Sequence, residues 1–368
     1  MWNKLKRLFS STAFNILLIF SLAGLVMWLT LRKDGDQVFA ILKNVSVPMT
    51  LGIVALMVFE RVLLGWTLKL ECNQTYPHYT LKQGFINAYT AGLFCNITPG
   101  ASGGQVAQGY IFRKQGISVS SSVGILWLDF IVYQTTMTLF VLALLLLRFN
   151  YFYSNFSKFF LLVIAGFAVS AGIIFFLYLL ANSPRFYTWL TTKGIRIAHK
   201  LHIVKDINKA LADLDKALYE FSKEIVVLKN HKDMILKLAF GDLLRLLIYY
   251  SIPFLCAKAL NIEVHANQLL DIIALSSYVS MINAFLPMPG SSGGTEATFI
   301  LMFSTIFSRA DAASIMIMWR LVTFYQTLLI GSFVFMYGKM QKDIPLSTTA
   351  ELPRSYAQEA LQEKLESL

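Results

Sequence analysis

Apolar residues run in long unbroken stretches along most of the chain, and polar residues are confined to the gaps between them. Six stretches, 13–31, 49–68, 119–147, 158–181, 234–258 and 311–338, reach the length that a membrane-spanning helix needs, about 20 apolar residues. Two more, 84–98 and 268–288, run straight into glycine-rich breaks, P-G-A-S-G-G-Q at Pro99 to Gln105 and P-G-S-S-G-G-T at Pro289 to Thr295. Each break is followed by a shorter segment, 104–113 or 294–307. Such a break cannot be ordinary transmembrane helix, because it frees backbone N–H and C=O groups that hydrocarbon does not satisfy. The pattern predicts an all-α polytopic membrane protein with six spanning helices and two re-entrant hairpins.

The break occurs twice, about 190 positions apart, and a Tyr-Gln-Thr triplet follows each proline by 34 or 36 residues, at Tyr133, Gln134, Thr135 and at Tyr325, Gln326, Thr327. A duplicated half is the expectation: repeat A over 49–147 and repeat B over 234–338, joined by helix 158–181, within one transmembrane domain, 1–342. Charge sets the orientation. Lys4, Lys6 and Arg7 keep the N-terminus cytoplasmic, and 13–31 reads as a retained first helix with no cleavage site before Arg32. If each hairpin returns to the side it left, segment 185–232, with ten Lys or Arg (Arg185 to Lys232) against five Asp or Glu, also lies in the cytoplasm, as does the C-terminus. The first hairpin then opens from inside and the second from outside. Repeats so related are inverted, and the paired breaks of inverted repeats mark the binding site of many transporters.

Composition agrees. The chain of 368 residues is 56% hydrophobic, with a mean hydropathy of +0.58, and only 14% of its residues are charged; a soluble domain carries about a quarter. The net charge of +11 sits in a few short loops. That points to positive-inside bias and anionic lipid headgroups as partners, and away from nucleic acid. In 185–232, Ile207, Leu211, Leu214, Leu218, Phe221, Ile225 and Leu228 alternate at four and three, the stripe of an amphipathic helix. It could dock on the protein itself, lie on anionic lipid, or pair with another helix. The tail, 343–368, is polar and short.

The candidate chemistry lies in the breaks and in charges inside the spans. The half-helix after each break presents backbone N–H groups and a dipole that suit an anion. Gly100, Ser102, Gly103, Gly104 and Gln105 form one cradle, and Gly290, Ser291, Ser292, Gly293, Gly294 and Thr295 the other; the competing reading is that the glycines only let helices pack closely. Arg61 and Arg320, in spans of opposite halves, are candidate anion ligands. Glu60, Asp129 and Glu296 are candidate ion-pair partners or proton carriers, while Asp242 and Arg245, one turn apart, fit a structural ion pair. Tyr133, Gln134, Tyr325 and Gln326 are expected to pack on the breaks. Cys72, Cys95 and Cys256 form no paired motif, and His199 and His202 have no acidic or thiol partner nearby. No catalytic, metal or nucleotide motif is present, so no enzymatic activity, cofactor or metal is expected.

These glycine-rich breaks, above all P-G-S-S-G-G-T-E through Glu296, resemble those of the flippase-like family that forms the transmembrane region of lysylphosphatidylglycerol synthases. The resemblance covers nearly all of 10–340. It implies a bacterial or archaeal inner membrane, and transfer of an anionic or aminoacylated phospholipid, or a polyisoprenyl-phosphate carrier, between leaflets. The chain ends 30 residues after its last span, so the membrane part without the soluble synthase domain is expected. Three functions are in play: a lipid translocator, a secondary transporter of a small organic anion, and an accessory or enzyme of membrane-lipid modification. A homo-oligomer and a separate lipid-modifying enzyme are further partners to consider.

Overall fold

The computed structural model describes residues 35–98, 100–149, 231–283 and 293–345, with a few positions between 150 and 230, among them 166–176. All regular structure in these residues is helical. The helices are α1 (Gly35–Lys43), α2 (Val47–Cys72), α3 (Leu81–Ile97), α4 (Gly103–Lys114), α5 (Val119–Leu147), α6 (Lys232–Ala259), α7 (Leu269–Asn283), α8 (Gly294–Phe303), α9 (Arg309–Arg320) and α10 (Gln326–Met340). A π-helical turn, Leu321–Tyr325, joins α9 to α10. Four continuous helices are long and apolar enough to cross a membrane: Val47–Cys72, Val119–Leu147, Lys232–Ala259 and Arg309–Met340. The expected span 13–31 lies outside the described residues, as do nearly all of 185–232 and of the tail. Of 158–181, the stretch Gly166–Phe176 is an apolar helix. α1 is an element that the hydropathy pattern did not signal; it packs on α9.

Local rules set the helix ends. Pro48 falls in the first turn of α2, where its missing N–H costs nothing. Thr80 and Gln83 form a reciprocal capping box at α3, with the Thr80 N–H donating to Gln83 Oε1 at 2.8 Å. Ser118 and Ser308 cap α5 and α9 through their hydroxyls. At 17 and 12 residues, α3 and α4 are too short to span alone. They lie antiparallel instead: Gln115 Nε2 donates to the Gln83 carbonyl (3.1 Å), Asn87 Nδ2 to the Gln108 carbonyl (3.3 Å), and Gly104 abuts Cys95 and Ala91. This is the expected first hairpin.

Helices meet through small residues, as they do in membranes. A Cβ on Gly84 would stand 2.1 Å from the Gly65 carbonyl oxygen, so α2 and α3 touch backbone to backbone. Gly92, Gly331 and Gly338 bring α3 against α10 in the same way. The packing order is also alike in the two halves: α2 on α3, α3 on α4 and α4 on α5 in the first, α6 on α7, α7 on α8 and α8 on α9 in the second. The opening helices, α2 and α6, run antiparallel side by side, with Ser46 N–H bonded to the Ala259 carbonyl (2.7 Å), Glu60 beside Arg245, and Thr67 beside Gly241.

The hairpins enter from opposite ends of this bundle. Lys82 at the start of α3 and Lys114 at the end of α4 lie at the end where α10 finishes, bonded to Tyr337 and Asp343. Asp271 at the start of α7 lies at the other end, where Arg148 after α5 holds it at 2.8 Å. The largest core cluster fills the second half, from Tyr250 and Tyr278 through Phe299, Phe303 and Trp319. A second cluster packs the lower parts of α2, α5 and α6, and a small third one, Leu93, Phe324 and Leu328, joins α3 to α10.

Candidate functional site

The first break is a tight turn made by two left-handed residues, Gly100 (φ 59°) and Ala101 (φ 56°). Glycine adopts that region without strain, whereas alanine pays about 1 kcal/mol or more for it. Thr98 stabilises the turn: its hydroxyl donates to the Phe94 carbonyl (2.6 Å) and accepts from Gly103 N–H (2.8 Å). Gly104 N–H points to the Ala101 carbonyl at 3.4 Å. Of the second break, Gly290, Ser291 and Ser292 lie outside the described residues. Gly293 has φ 91° and donates its N–H to Glu296 Oε2 at 2.6 Å. Gly294 and Thr295 open α8, and Thr295 is buried.

Both half-helices are expected to offer N–H groups to an anion. One amide of each, at Gly103 and at Gly293, is taken by a side chain of its own hairpin. Thr98, absent from the sequence-based candidates, does this in the first; its signal is the Thr-x-x-x-x-Gly spacing across the break.

Arg61 projects from α2 against α3, where its guanidinium lies beside Gly92, close to Thr327 of α10. Its ion pair among the described residues is with its neighbour Glu60, Nε to Oε2 at 3.3 Å. Glu60 is buried and also accepts from Arg245 Nε at 3.0 Å, and Arg245 Nη1 reaches Asp242 at 2.7 Å. Arg245 further lies over the Tyr133 ring, 5.6 Å from its centroid. The expected pair of Asp242 and Arg245 is thus part of a longer chain: Asp242, Arg245, Glu60, Arg61. Across the bundle, Arg320 Nε binds Glu296 Oε1 at 2.9 Å, with the Trp319 and Phe324 rings at 5.4 and 5.2 Å. Glu296 so ties the second break to the last residue of α9.

The Tyr249 hydroxyl of α6 lies within electrostatic reach of Arg320, Arg61 and Glu60. Pro253, one turn on, has no N–H for the Tyr249 carbonyl, so α6 loses a rung there. The π turn, a device common at functional sites, follows Arg320 directly and packs on α2. The first break is level with this place, since Asn96 Nδ2 at the end of α3 points to the Phe324 carbonyl (3.5 Å). Gly100, Ala101, Ser102 and Gln105 are exposed there, inside the length of Arg309–Met340.

The Tyr-Gln-Thr copies part company. Tyr325 packs with Leu93, Phe94 and Ile97 on the arm leading to the first break, and Gln326 Nε2 donates to Tyr89 on the same arm (2.8 Å). Tyr133 instead faces Arg245, and Gln134 of α5 is buried. Asp129 joins a different group, with Glu71 and Asp242. Sequence reading missed Glu71 because it ended that span at 68, whereas α2 runs to Cys72.

A family model described as Lysylphosphatidylglycerol synthase TM region matches residues 13–331. No curated protein matches the chain.

Proposed function

The chain belongs to the lysylphosphatidylglycerol synthase TM region family, an integral-membrane family tied to membrane lipids, and from that premise we propose that it is a translocator, not an enzyme, which moves an anionic phospholipid, an aminoacyl-phospholipid or a polyisoprenyl-phosphate lipid between leaflets. The observation that carries this reading is that Arg61 and Arg320, from opposite halves, both lie inside the bundle beside the π turn, Arg320 as the residue before it and Arg61 on α2, which packs on it. Cations inside a bundle are costly and belong at an ion or substrate path. A phosphate needs what they supply: planar, paired donors in a low-dielectric place.

In this mechanism the headgroup enters beside the exposed first break and is held by Arg61 and Arg320. The chains of the lipid stay in the bilayer, along the apolar outer faces of α5 and α10, where Leu139, Leu146, Leu329 and Phe333 are exposed. Two halves with the same packing order and antiparallel opening helices support an inverted repeat, in which one half rocks against the other. The lysines at one end of the bundle, Lys69, Lys82, Lys114, Lys232 and Lys339, support a cytoplasmic orientation of that end, in a bacterial or archaeal inner membrane.

The test is a reconstituted-vesicle assay with labelled phosphatidylglycerol. Wild type exchanges label between leaflets, and Arg61→Ala and Arg320→Ala each slow exchange by about tenfold or more, the loss of one charge-assisted contact of ~1.5–3 kcal/mol. Equal exchange by wild type and both variants would remove the proposed role of the arginines. Uptake of a soluble organic anion without lipid exchange would replace the translocator reading with that of a soluble-anion carrier.

A further inference from the structure

Eleven residues beyond Glu60, about 16 Å along α2 at 1.5 Å per residue, lies a carboxyl that the headgroup site does not use. Glu71 is 0% exposed, and neither of its carboxylate oxygens has a hydrogen-bond partner. The charges acting on it come from two further acids, Asp129 of α5 and Asp242 of α6. Three cations of the surrounding helices are engaged elsewhere: Lys82 of α3 with Tyr337, Lys237 of α6 with Asp233, and Arg245 of α6 with Asp242 and Glu60. Among the described residues no group of acids, histidines and cysteines is arranged to hold a metal ion. An ionised carboxylate without a hydrogen-bond donor, beside two other acids, is among the costliest charges a bundle can hold. The neutral acid is the form such a place accommodates.

We propose that Glu71, with Asp129 and Asp242, is a proton-binding site, and that protons taken up from the lysine-rich end of the bundle drive movement of the lipid. The coupling rests on the translocator reading; the proton site does not. The order of groups supplies the mechanism. Glu71 lies near the end of α2, Asp242 and Asp129 lie further in, and Asp242, Arg245, Glu60 and Arg61 are joined in sequence by ion pairs. A proton passed from Glu71 to Asp242 neutralises the carboxylate that shares Arg245 with Glu60, and a proton taken up from the lysine-rich end at once restores the neutral acid at Glu71. Arg245 then falls wholly to Glu60, and Arg61, no longer needed by that carboxylate, turns to the lipid phosphate. One proton taken up matches one anion bound, so the bundle never carries the anion's charge uncompensated.

Infrared difference spectroscopy of the purified, reconstituted protein tests the proton site. Wild type shows the band of a buried protonated carboxyl at neutral pH, Glu71→Gln lacks it, and Asp129→Asn lowers the pH at which it titrates by about one unit, because a like charge has been removed. Identical spectra for wild type and Glu71→Gln, or no displacement in Asp129→Asn, overturn the proposal. Should Glu71→Gln fail to fold, Asp129→Asn, with Glu71 intact, decides. Coupling is read separately in vesicles. Acid on the lysine-rich side speeds lipid exchange by wild type, and Glu71→Gln loses that response. Exchange that follows a sodium gradient and ignores pH overturns proton coupling. If wild type moves no lipid under any gradient, the translocator reading falls and the infrared result alone judges the proton site.

Discussion

The two hairpins are built on nearly the same seven-residue break, yet opposite forces hold them. α3–α4 is fastened by backbone and polar contacts: Gly84 against Gly65, Asn87 and Gln115 bonded to carbonyls of the facing arm, Thr98 across the turn. Its break is exposed. The second hairpin is held through α8, which aromatic packing and an ion pair fasten to α9: Phe299 and Phe303 stack at 3.9 Å along α8, Trp319 of α9 lies over Phe299 at 5.1 Å, and Glu296 binds Arg320. Small residues and amides fix a geometry while burying little side-chain surface, so the first hairpin is held in place but easily loosened. A stack of rings buries much area and leaves an anchored element. In the first half the break forms an exposed turn; in the second the helix that follows it, α8, is anchored on α9.

The contrast can be broken most forcefully at the anchor. Arg320→Leu leaves Glu296 buried without its cation and should cost about 3–5 kcal/mol, read as a fall in the denaturation midpoint in detergent. The double variant Arg320→Leu with Glu296→Gln should recover most of that loss, and a double as unstable as the single would show that Arg320 matters for reasons other than this pair. Next in size is Gly84→Ala, which forces α2 and α3 apart and should cost about 1–3 kcal/mol. Cysteines placed at Gln83 and Gln115 should then cross-link more slowly than in the parent; unchanged cross-linking would mean that the glycine contact does not hold the first hairpin. Smallest is Thr98→Val, which removes the cap on Gly103 at a cost of about 1 kcal/mol. It should raise amide hydrogen exchange at 100–105 and leave α8 unaffected. A matching rise in α8 would erase the distinction between the two hairpins.

Much of this architecture was legible in the apolar runs. The boundaries of α5, α6 and the final span follow them closely, because a helix in hydrocarbon must be apolar along its whole length. The first hairpin was legible from a proline–glycine break between segments too short to cross. Arg61, Arg320, Glu60 and Glu296 stood out because charge is rare in such segments. Their pairings did not. Glu60 has Arg61 beside it in sequence, yet it also holds Arg245, 185 positions away, and Glu296 takes Arg320 only because α8 and α9 pack together. Glu71 was invisible because α2 keeps its helix beyond the apolar run: α5 and α6 cover that turn, so burial there comes from neighbouring helices and not from lipid.

The sequence by itself determined that this chain lives in a membrane, that its helices break twice, and which charges are stranded inside. These are properties of a solvent that rejects any unpaired polar group, and they can be read one segment at a time. Tertiary structure decided who partners whom: that Thr98 and Glu296 each claim an amide at a break, that Arg245 belongs to two carboxylates, and that Arg320 is held by Glu296 of the neighbouring helix. Partnership in a helical bundle depends on the rotation and crossing of whole helices, which glycine contacts such as Gly65 with Gly84 set to within an ångström and which no single segment encodes.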